Sequence, residues 1–221
     1  MNTKRNIFFA TLVLITIISS CTVLSFYPIY TEDVLIKNDA ILGKWETIEE
    51  SFPNDENNDT LVWEIAFNKE RWIKKLNTPF DRGEKKVINE YAYSLYLSRK
   101  STPEKRSEFQ LHLINLAGKT FIDFYPEQWE SDNNILGFHL IGVHTFAKVD
   151  IMQDSLIINW FDSDWFAQKL EEKKIRIKHE KNSSNILLTA QPKELQKFVV
   201  KYADDKNAFD YDSQFVLKPH K

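Results

Sequence analysis

The sequence predicts a mainly β domain: an antiparallel meander, closed into a barrel or left as a strongly curved sheet, with two short helices. From Ile41 onward, short runs in which every second residue is apolar follow one another between polar turns. Two later stretches combine capping residues with apolar side chains three and four positions apart, which is helical spacing. Aromatic residues make up 14% of the chain, enough to fill one large core.

The strands follow from the alternation. The clearest is 61–67, in which every second residue is apolar: Leu61, Trp63, Ile65 and Phe67. A longer alternating run covers 87–97. Two hairpins follow, 109–113 with 121–125 through a tight turn at 117–120, and 138–151 with 156–161 through a turn at 152–155. Three further strands are predicted at 175–179, 186–189 and 209–218, and the last either closes the sheet or packs across it.

The two helices have recognisable starts. The first covers 164–172, with Asp162 or Ser163 as its N-cap. The second begins after Gln191, with Pro192 in the first helical position, where a missing N–H costs nothing. Its apolar stripe consists of Leu195, Phe198, Val199 and Tyr202.

The N-terminus has the features of an export signal. Lys4 and Arg5 precede an apolar run at 7–18, which is too short to span a bilayer as a mature helix. The run ends in Ile18-Ser19-Ser20-Cys21, which resembles the lipobox of bacterial lipoproteins. The resemblance implies cleavage before Cys21, lipid chains on that cysteine, and a mature protein attached to the membrane without spanning it.

This organisation divides the chain into a signal peptide (1–20), a lipidated N-terminus and tether (21–40), and one β domain (41–221). We expect a location in the cell envelope, on the exported side, with leaflet and orientation left open. Cys21 is the only cysteine, so an internal disulfide is excluded. The formal net charge of −3 becomes −5 once Lys4 and Arg5 are removed, which argues against nucleic acid as a partner.

A second resemblance lies in the first strand of the β domain. Gly43 and Trp45 form a Gly-x-Trp motif that resembles the signature of lipocalins and related calycins. The resemblance implies that Gly43 lets the strand bend into a barrel and that Trp45 plugs the closed end. In that family an arginine from late in the chain usually covers the tryptophan; the only late candidate here, Arg176, precedes the last helix instead of following it, so this arginine is not assigned. The alternative is an open curved sheet in which both are ordinary sheet residues.

No pattern in the sequence predicts catalysis, and we expect a protein that is not an enzyme and uses no cofactor. Gly118-Lys119-Thr120 ends like a phosphate-binding loop, but Leu113 stands where that loop needs glycine, which favours a hairpin turn. The histidines lack metal-ligand spacing and no free cysteine can join them, so no metal site is predicted. We expect each histidine to be a polar residue of the sheet or the surface.

The function predicted is binding or carriage of an apolar small molecule by a lipid-anchored protein of the cell envelope. The candidate lining residues are Tyr91, Tyr93, Leu95 and Leu97, which share one face of a strand. For those four side chains a packed core is favoured over a ligand wall. The alternative function is a structural or accessory lipoprotein that docks onto an envelope protein. An internal cavity would distinguish carriage from docking.

Overall fold

The computed structural model describes residues 23–48, 59–68, 71–72, 86–87, 91–127, 141–182, 185–209 and 214–220. The signal peptide and lipobox lie outside the described residues, and both stay predictions. The helices are α1 (Ser163–Glu171) and α2 (Pro192–Tyr202), with short 3-10 turns at Glu32–Val34, Asp39–Ile41 and Lys206–Ala208. The strands are β1 (Leu24–Ser25), β2 (Leu35–Ile36), β3 (Gly43–Thr47), β4 (Leu61–Phe67), β5 (Arg71–Trp72), β6 (Lys86–Val87), β7 (Ala92–Arg99), β8 (Thr102–Leu116), β9 (Lys119–Pro126), β10 (His144–Ile151), β11 (Leu156–Trp160), β12 (His179–Asn182), β13 (Asn185–Leu188) and β14 (Phe215–Pro219).

Eight of these strands close into an antiparallel barrel. Hydrogen-bonded neighbours follow the order β3, β4, β7, β8, β9, β10, β11 and β14, and β14 returns to pair with β3. Seven of the eight follow in chain order, and β14 comes after both helices. The prediction of a mainly β, lipocalin-like barrel with two short helices is therefore confirmed. The closing strand overlaps the end of the predicted 209–218 and extends one residue beyond it.

The β8–β9 hairpin explains the Gly-Lys-Thr sequence. Leu116 pairs with Lys119, and the two residues between them, Ala117 and Gly118, have φ angles of 52° and 78°. Two consecutive positive φ angles are typical of the type I′ turn, whose twist matches that of the flanking strands. The segment is a hairpin turn, as predicted.

One end of the barrel, here called the Gly43 end, is covered by the chain that enters β3. Ile41 is 1% exposed and packs with the barrel interior. Trp45 lies on β3, the first strand of the barrel, and its indole Nε1 donates a hydrogen bond to the Ile41 carbonyl at 2.9 Å. Gly43 has φ of +121°, which side-chain-bearing residues rarely adopt. The opposite end, where β11 finishes and β14 begins, is called the Trp160 end.

Residues 23–40, which the sequence predicts to be a tether, pack on the β domain. Val23 and Ile29 are 4% and 0% exposed, and β1 pairs with both β10 and β13. The segment packs between the outer wall of the barrel and α2, where the side-chain amide of Gln196 donates to the Ile29 carbonyl at 3.0 Å. Its apolar residues have no regular period because they fill an irregular gap between two elements, and sequence periodicity does not detect such packing.

The apolar side chains form two clusters on either side of the barrel wall. One fills the barrel. The other lies between the wall, the N-terminal segment and both helices, and α1 and α2 contribute Phe166, Leu195, Phe198 and Val199 to it. Asp162 caps α1 by accepting from the Trp165 N–H at 2.7 Å, and the N–H of Gln191 donates to Glu194 at the start of α2. Both helix predictions are thereby confirmed to within one residue.

Two strand predictions need correction. The strand predicted at 175–179 begins only at His179, because the N–H groups of Lys174 and Ile175 both donate to the Lys169 carbonyl at the end of α1. That geometry keeps the chain on the helix rather than in a sheet. The run 87–97 is also divided: β7 begins at Ala92, whereas Val87 belongs to β6, which pairs with β5 in a separate two-stranded sheet.

Candidate functional site

The barrel interior is the first candidate site. Inward-facing residues alternate with outward-facing ones along every wall strand, as the sequence pattern of β4 predicts. An eight-stranded barrel is just wide enough for its own side chains to fill it, or for one small ligand to enter. The buried interior comprises Ile41, Trp45, Trp63, Ile65, Tyr93, Leu95, Leu111, Leu113, Ile122, Phe124, Ala147, Val149, Leu156, Ile158 and Leu217.

Four aromatic rings meet inside the barrel, toward the Trp160 end. The Trp63 ring makes edge contacts with Phe124 and Phe215, at centroid distances of 6.0 and 5.9 Å. Trp160 lies 4.9 Å from Phe124 and 6.3 Å from Phe215. Aromatic pairs at such distances favour these edge and tilted arrangements. We call Trp63, Phe124, Trp160 and Phe215 the aromatic cluster.

The aromatic cluster contains a buried donor that lacks an acceptor. Trp63 is 2% exposed, and no acceptor among the described residues lies within hydrogen-bond distance of its Nε1. Leaving such a group unpaired away from water costs about 1–3 kcal/mol. Trp165 Nε1 and Thr189 Oγ1 are also buried and unpaired, but both lie outside the barrel.

Two polar side chains at the Gly43 end, those of Tyr93 and Trp45, have hydrogen-bond partners. The Tyr93 hydroxyl accepts a hydrogen bond from the Asn38 N–H at 2.9 Å, and burial raises the pKa of that phenol. The Trp45 indole is bonded to Ile41. Both of these polar groups are therefore hydrogen-bonded, whereas the Trp63 N–H among the aromatic rings is unpaired.

Both ends of the barrel carry half-buried apolar residues that pack on the interior. Toward the Gly43 end these are Ile36, Leu42, Phe67 and Ile151, beside the almost completely buried Ile41 and Tyr93. Toward the Trp160 end they are Leu61, Leu97, Phe109, Trp160 and Phe215. What distinguishes the Trp160 end is therefore the aromatic cluster and not its exposure.

The four predicted lining residues are split by the structure. Tyr93, Leu95 and Leu97 face the interior in register on β7. Tyr91 precedes β7 and is 38% exposed, so it lies outside the barrel. Trp63 and the other cluster rings were not selected from the sequence, although the alternation along β4 already places Trp63 on the same face as Ile65. The sequence does not show which strands pair with one another, and it is this pairing that brings the rings together.

Arg176 does not take the position of the family's covering arginine. Arg176 comes after α1 in the chain and next to Ile175, which belongs to the apolar cluster outside the barrel. The Arg176 side chain is exposed. Across the sheet from Trp45 lie Trp63 on one side and Pro219 on the other. Gly43 and Trp45 are therefore present, but Arg176 does not cover Trp45.

A second polar site lies on the outer face of the barrel wall, beneath the N-terminal segment. Asp123 of β9 is 0% exposed, and its carboxylate accepts from His144 Nδ1 at 2.7 Å and from the Ile29 N–H at 3.1 Å. Burial raises the pKa of Asp123 above its usual range, although both hydrogen bonds act in the opposite direction. We call Asp123, His144 and the Ile29 N–H the wall clasp.

Further aromatic and polar contacts surround the wall clasp. His112 of β8 is 1% exposed, pairs in register with Asp123, and lies with its ring 4.2 Å from that of Tyr30. Gln110 Nε2 is 3.3 Å from His112 Nε2, and the Tyr125 ring is 4.6 Å from that of His144. The sequence expectation for the histidines holds for these two, which are polar residues of the sheet. That they share one face with Asp123 was not predictable from spacing, because they come from different strands.

The wall clasp is suited to hold the N-terminal segment rather than a metal. Over the described ranges, no group of three or more His, Cys, Asp or Glu side chains is placed to bind a metal ion. Every described hydrogen bond of Asp123 goes to the chain itself, one of them to the backbone of the segment it holds. This arrangement attaches the N-terminal segment to the barrel wall.

Comparisons with known proteins add no relative. No protein-family model matches the chain, and neither a curated protein nor a solved structure matches it significantly. Neither helix in the described part of the chain is long and apolar enough to span a bilayer. The class of protein therefore follows from the fold: a closed eight-stranded antiparallel barrel with a lipocalin-like architecture, compatible with small-molecule binding.

Proposed function

We propose that the barrel binds one apolar small molecule that carries a hydrogen-bond acceptor, and that it does so in the cell envelope, attached to the membrane through lipid on Cys21. The observation that carries the proposal is the unpaired Trp63 Nε1 within the aromatic cluster. Binding pockets for small molecules are mostly apolar, with a few placed polar groups that fix orientation. The aromatic cluster supplies the apolar surface, and Trp63 supplies a donor.

We place the route of entry at the Trp160 end. At the Gly43 end Tyr93 and Trp45 are buried and hydrogen-bonded, whereas Trp160 and Phe215 of the aromatic cluster are half-buried. A ligand that enters there meets Trp63 with its acceptor after its apolar part has contacted Trp160 and Phe215. The proposal involves binding and no chemical step.

The first experiment is mass spectrometry of organic extracts from natively purified protein, with a washed and refolded sample as the control. A discrete apolar molecule near one per chain, absent from the control, supports carriage. An empty extract together with no binding of an added fluorescent fatty-acid probe contradicts it. That result would favour the second candidate, a barrel filled by its own side chains that docks onto an envelope protein.

The Trp63→Phe variant tests the donor, because it keeps an aromatic ring in the cluster and removes the indole N–H together with one ring of the indole, a loss of ring area that the control below shares. We expect affinity for the extracted molecule to fall about 2- to 12-fold, the effect of one neutral hydrogen bond. Trp45→Phe is the matched control, since it removes an indole N–H that is already bonded to Ile41 at the closed end. Equal affinity of Trp63→Phe and the unmodified protein would refute the role of the donor.

Membrane attachment has its own test. In Cys21→Ala the thiol that accepts the lipid is absent, so fatty-acid labelling should disappear and the protein should leave the membrane fraction. Labelling that persists in this variant would contradict the anchor and leave the ligand proposal unaffected.

A further inference from the structure

Positive and negative charges are unevenly divided between the barrel and the elements outside it. We call the stretch from α1 to α2, residues 163–202, the outer layer. It contains nine Lys or Arg residues and five Asp or Glu residues, a formal charge of +4. The rest of the chain from Cys21 onward contains 18 basic and 27 acidic residues, a formal charge of −9. The outer layer is therefore the basic part of an acidic protein.

Much of the positive charge in the outer layer is not neutralised locally. On the barrel, Lys44, Lys100 and Lys218 each form an ion pair with a carboxylate, at 3.1, 2.9 and 3.6 Å. Five exposed basic residues of the outer layer form no ion pair with any described residue, and we call them the basic patch: Lys173, Arg176, Lys178, Lys197 and Lys201. Exposed cations grouped in this way attract an anionic partner.

The elements that carry the basic patch are packed against one another. The Trp165 ring of α1 contacts the Tyr202 ring of α2 at a centroid distance of 5.1 Å, and the Tyr202 hydroxyl donates to the Lys174 carbonyl at 3.3 Å. The Lys181 ammonium of β12 lies 3.5 Å from the carboxylate of Glu171 in α1. The basic side chains of α1, α2 and β12 therefore belong to one layer outside the barrel.

The chain that leads back to the proposed anchor runs into this layer. β1 is parallel to β13, and one step back from the pair of Leu24 and Leu187 lie Val23 and Ile186. From the other side of β13, Lys181 of β12 pairs with Ile186. Adjacent strands lie about 4.8 Å apart, so the backbones of Val23 and Lys181 are separated by only about 10 Å.

The short connection to the lipid keeps this part of the outer layer close to the bilayer. Val23 is 4% exposed and packs in the cluster between the barrel wall and both helices. Cys21 precedes it by two residues, which span about 7 Å when fully extended. That reach is no longer than the Debye length of about 8 Å at physiological ionic strength, so headgroup charges act on the layer without full screening.

We infer that the outer layer rests on the headgroups of an anionic lipid bilayer, with the basic patch bound to them and the barrel held away from the membrane. The inference rests on the proposed lipid anchor. Lys and Arg side chains next to a membrane are attracted to anionic leaflets, and a basic surface commonly acts together with acyl chains. The same leaflet repels the acidic remainder of the chain, so the division of charge decides which side approaches.

The test uses the full-length, lipidated protein in vesicles of phosphatidylethanolamine, with or without phosphatidylglycerol. Cys21 is the only cysteine and carries the lipid, so Val200→Cys and Met152→Cys each introduce one free thiol for a fluorophore. Val200 is 38% exposed on α2, and Met152 is 49% exposed in the β10–β11 turn of the barrel. Energy transfer to an acceptor dye on the headgroups reports how close each label lies to the bilayer.

We expect phosphatidylglycerol to raise the transfer from position 200 about twofold and to leave position 152 unchanged, because each basic residue near an anionic leaflet shifts the equilibrium about fivefold. Salt at about 1 M should reverse the increase. Lys178→Glu combined with Lys197→Glu should abolish it. Lys44→Glu combined with Lys105→Glu is the matched control, since it makes the same change of charge on exposed residues of the barrel and should leave the increase intact.

Anchored protein whose transfer from position 200 does not depend on phosphatidylglycerol, or rises equally at position 152, would overturn the inference and leave the anchor intact. Failure of the anchor would overturn both and is recognised separately, by protein that is not labelled with fatty acid and does not sediment with vesicles of either composition.

Discussion

The wall clasp and the aromatic cluster, on opposite sides of the barrel wall, differ in how their buried polar groups are paired. On the outer side, the carboxylate of Asp123 is fully buried and accepts hydrogen bonds from His144 and from Ile29. On the inner side, Trp63 is buried to a similar degree but its donor has no acceptor in the described part of the chain. The groups of the wall clasp are paired because they attach one segment of the chain to another. In the proposed function, the Trp63 donor is the group that pairs with a ligand.

We expect the polar groups of the wall clasp to stabilise the fold and the Trp63 donor to contribute to binding. A buried carboxylate is tolerated where the chain itself supplies the compensating donors, and its removal leaves those donors unsatisfied. An unpaired indole N–H costs less, because one donor is involved and the ring still packs. Substitutions on the outer wall should therefore change stability more than binding, and those in the aromatic cluster the reverse.

The largest effect is expected from Trp45→Ala, which removes a buried interior ring and its hydrogen bond to Ile41. We expect the free energy of unfolding to fall by about 3–5 kcal/mol, as for other buried aromatic truncations. Chemical denaturation with a denaturant series measures it. An unchanged midpoint would mean that Trp45 does not close the barrel.

The next effect concerns the wall clasp. Asp123→Ala leaves the Ile29 N–H and His144 without their acceptor, and we expect a loss of about 3 kcal/mol in the free energy of unfolding. Binding of the extracted ligand to the folded variant should be unchanged. A loss of affinity larger than the loss of stability would contradict the separation of the two sides.

The raised pKa of Asp123 adds a dependence on pH. Between the ordinary aspartate pKa of about 3.9 and the raised value in the fold, the unfolded chain has lost a proton that the native protein still holds. The free energy of unfolding therefore falls as pH rises through this window. Asp123→Asn carries no titratable group there, so its stability relative to the unmodified protein should increase with pH over the same window. Parallel pH profiles for the two proteins would contradict the raised pKa.

The smallest effect is expected from Gly43→Ala. A Cβ at Gly43 meets no atom within 4 Å, so the substitution changes backbone strain and no packing. With φ at +121°, we expect a loss of about 1–2 kcal/mol in the free energy of unfolding. Calorimetric melting measures it, with Gly118→Ala, which also has positive φ and open space, as the control outside the motif. No change at Gly43 would remove the conformational reason for glycine in the Gly-x-Trp motif.

The sequence gives the local elements accurately because their signals are local. Alternation predicts β4 over the residues that form it, and Asp162, Gln191 and Pro192 mark the helix starts within one residue. It predicts less well where a segment depends on distant partners. The strand expected at 175–179 is held on α1 by bonds to Lys169, and residues 23–40 pack without any period.

By itself, the sequence determined the class of fold, the hairpins, the helices, and the faces on which Tyr93, Leu95 and Leu97 lie. Only the tertiary structure decided that β14 closes the barrel between β11 and β3, that Trp63 lies among three other rings, and that Asp123 holds Ile29 from 94 residues away. The reason is physical: backbone periodicity and capping act over a few residues, whereas hydrogen bonds and ring contacts across a barrel join residues whose spacing along the chain carries no signal.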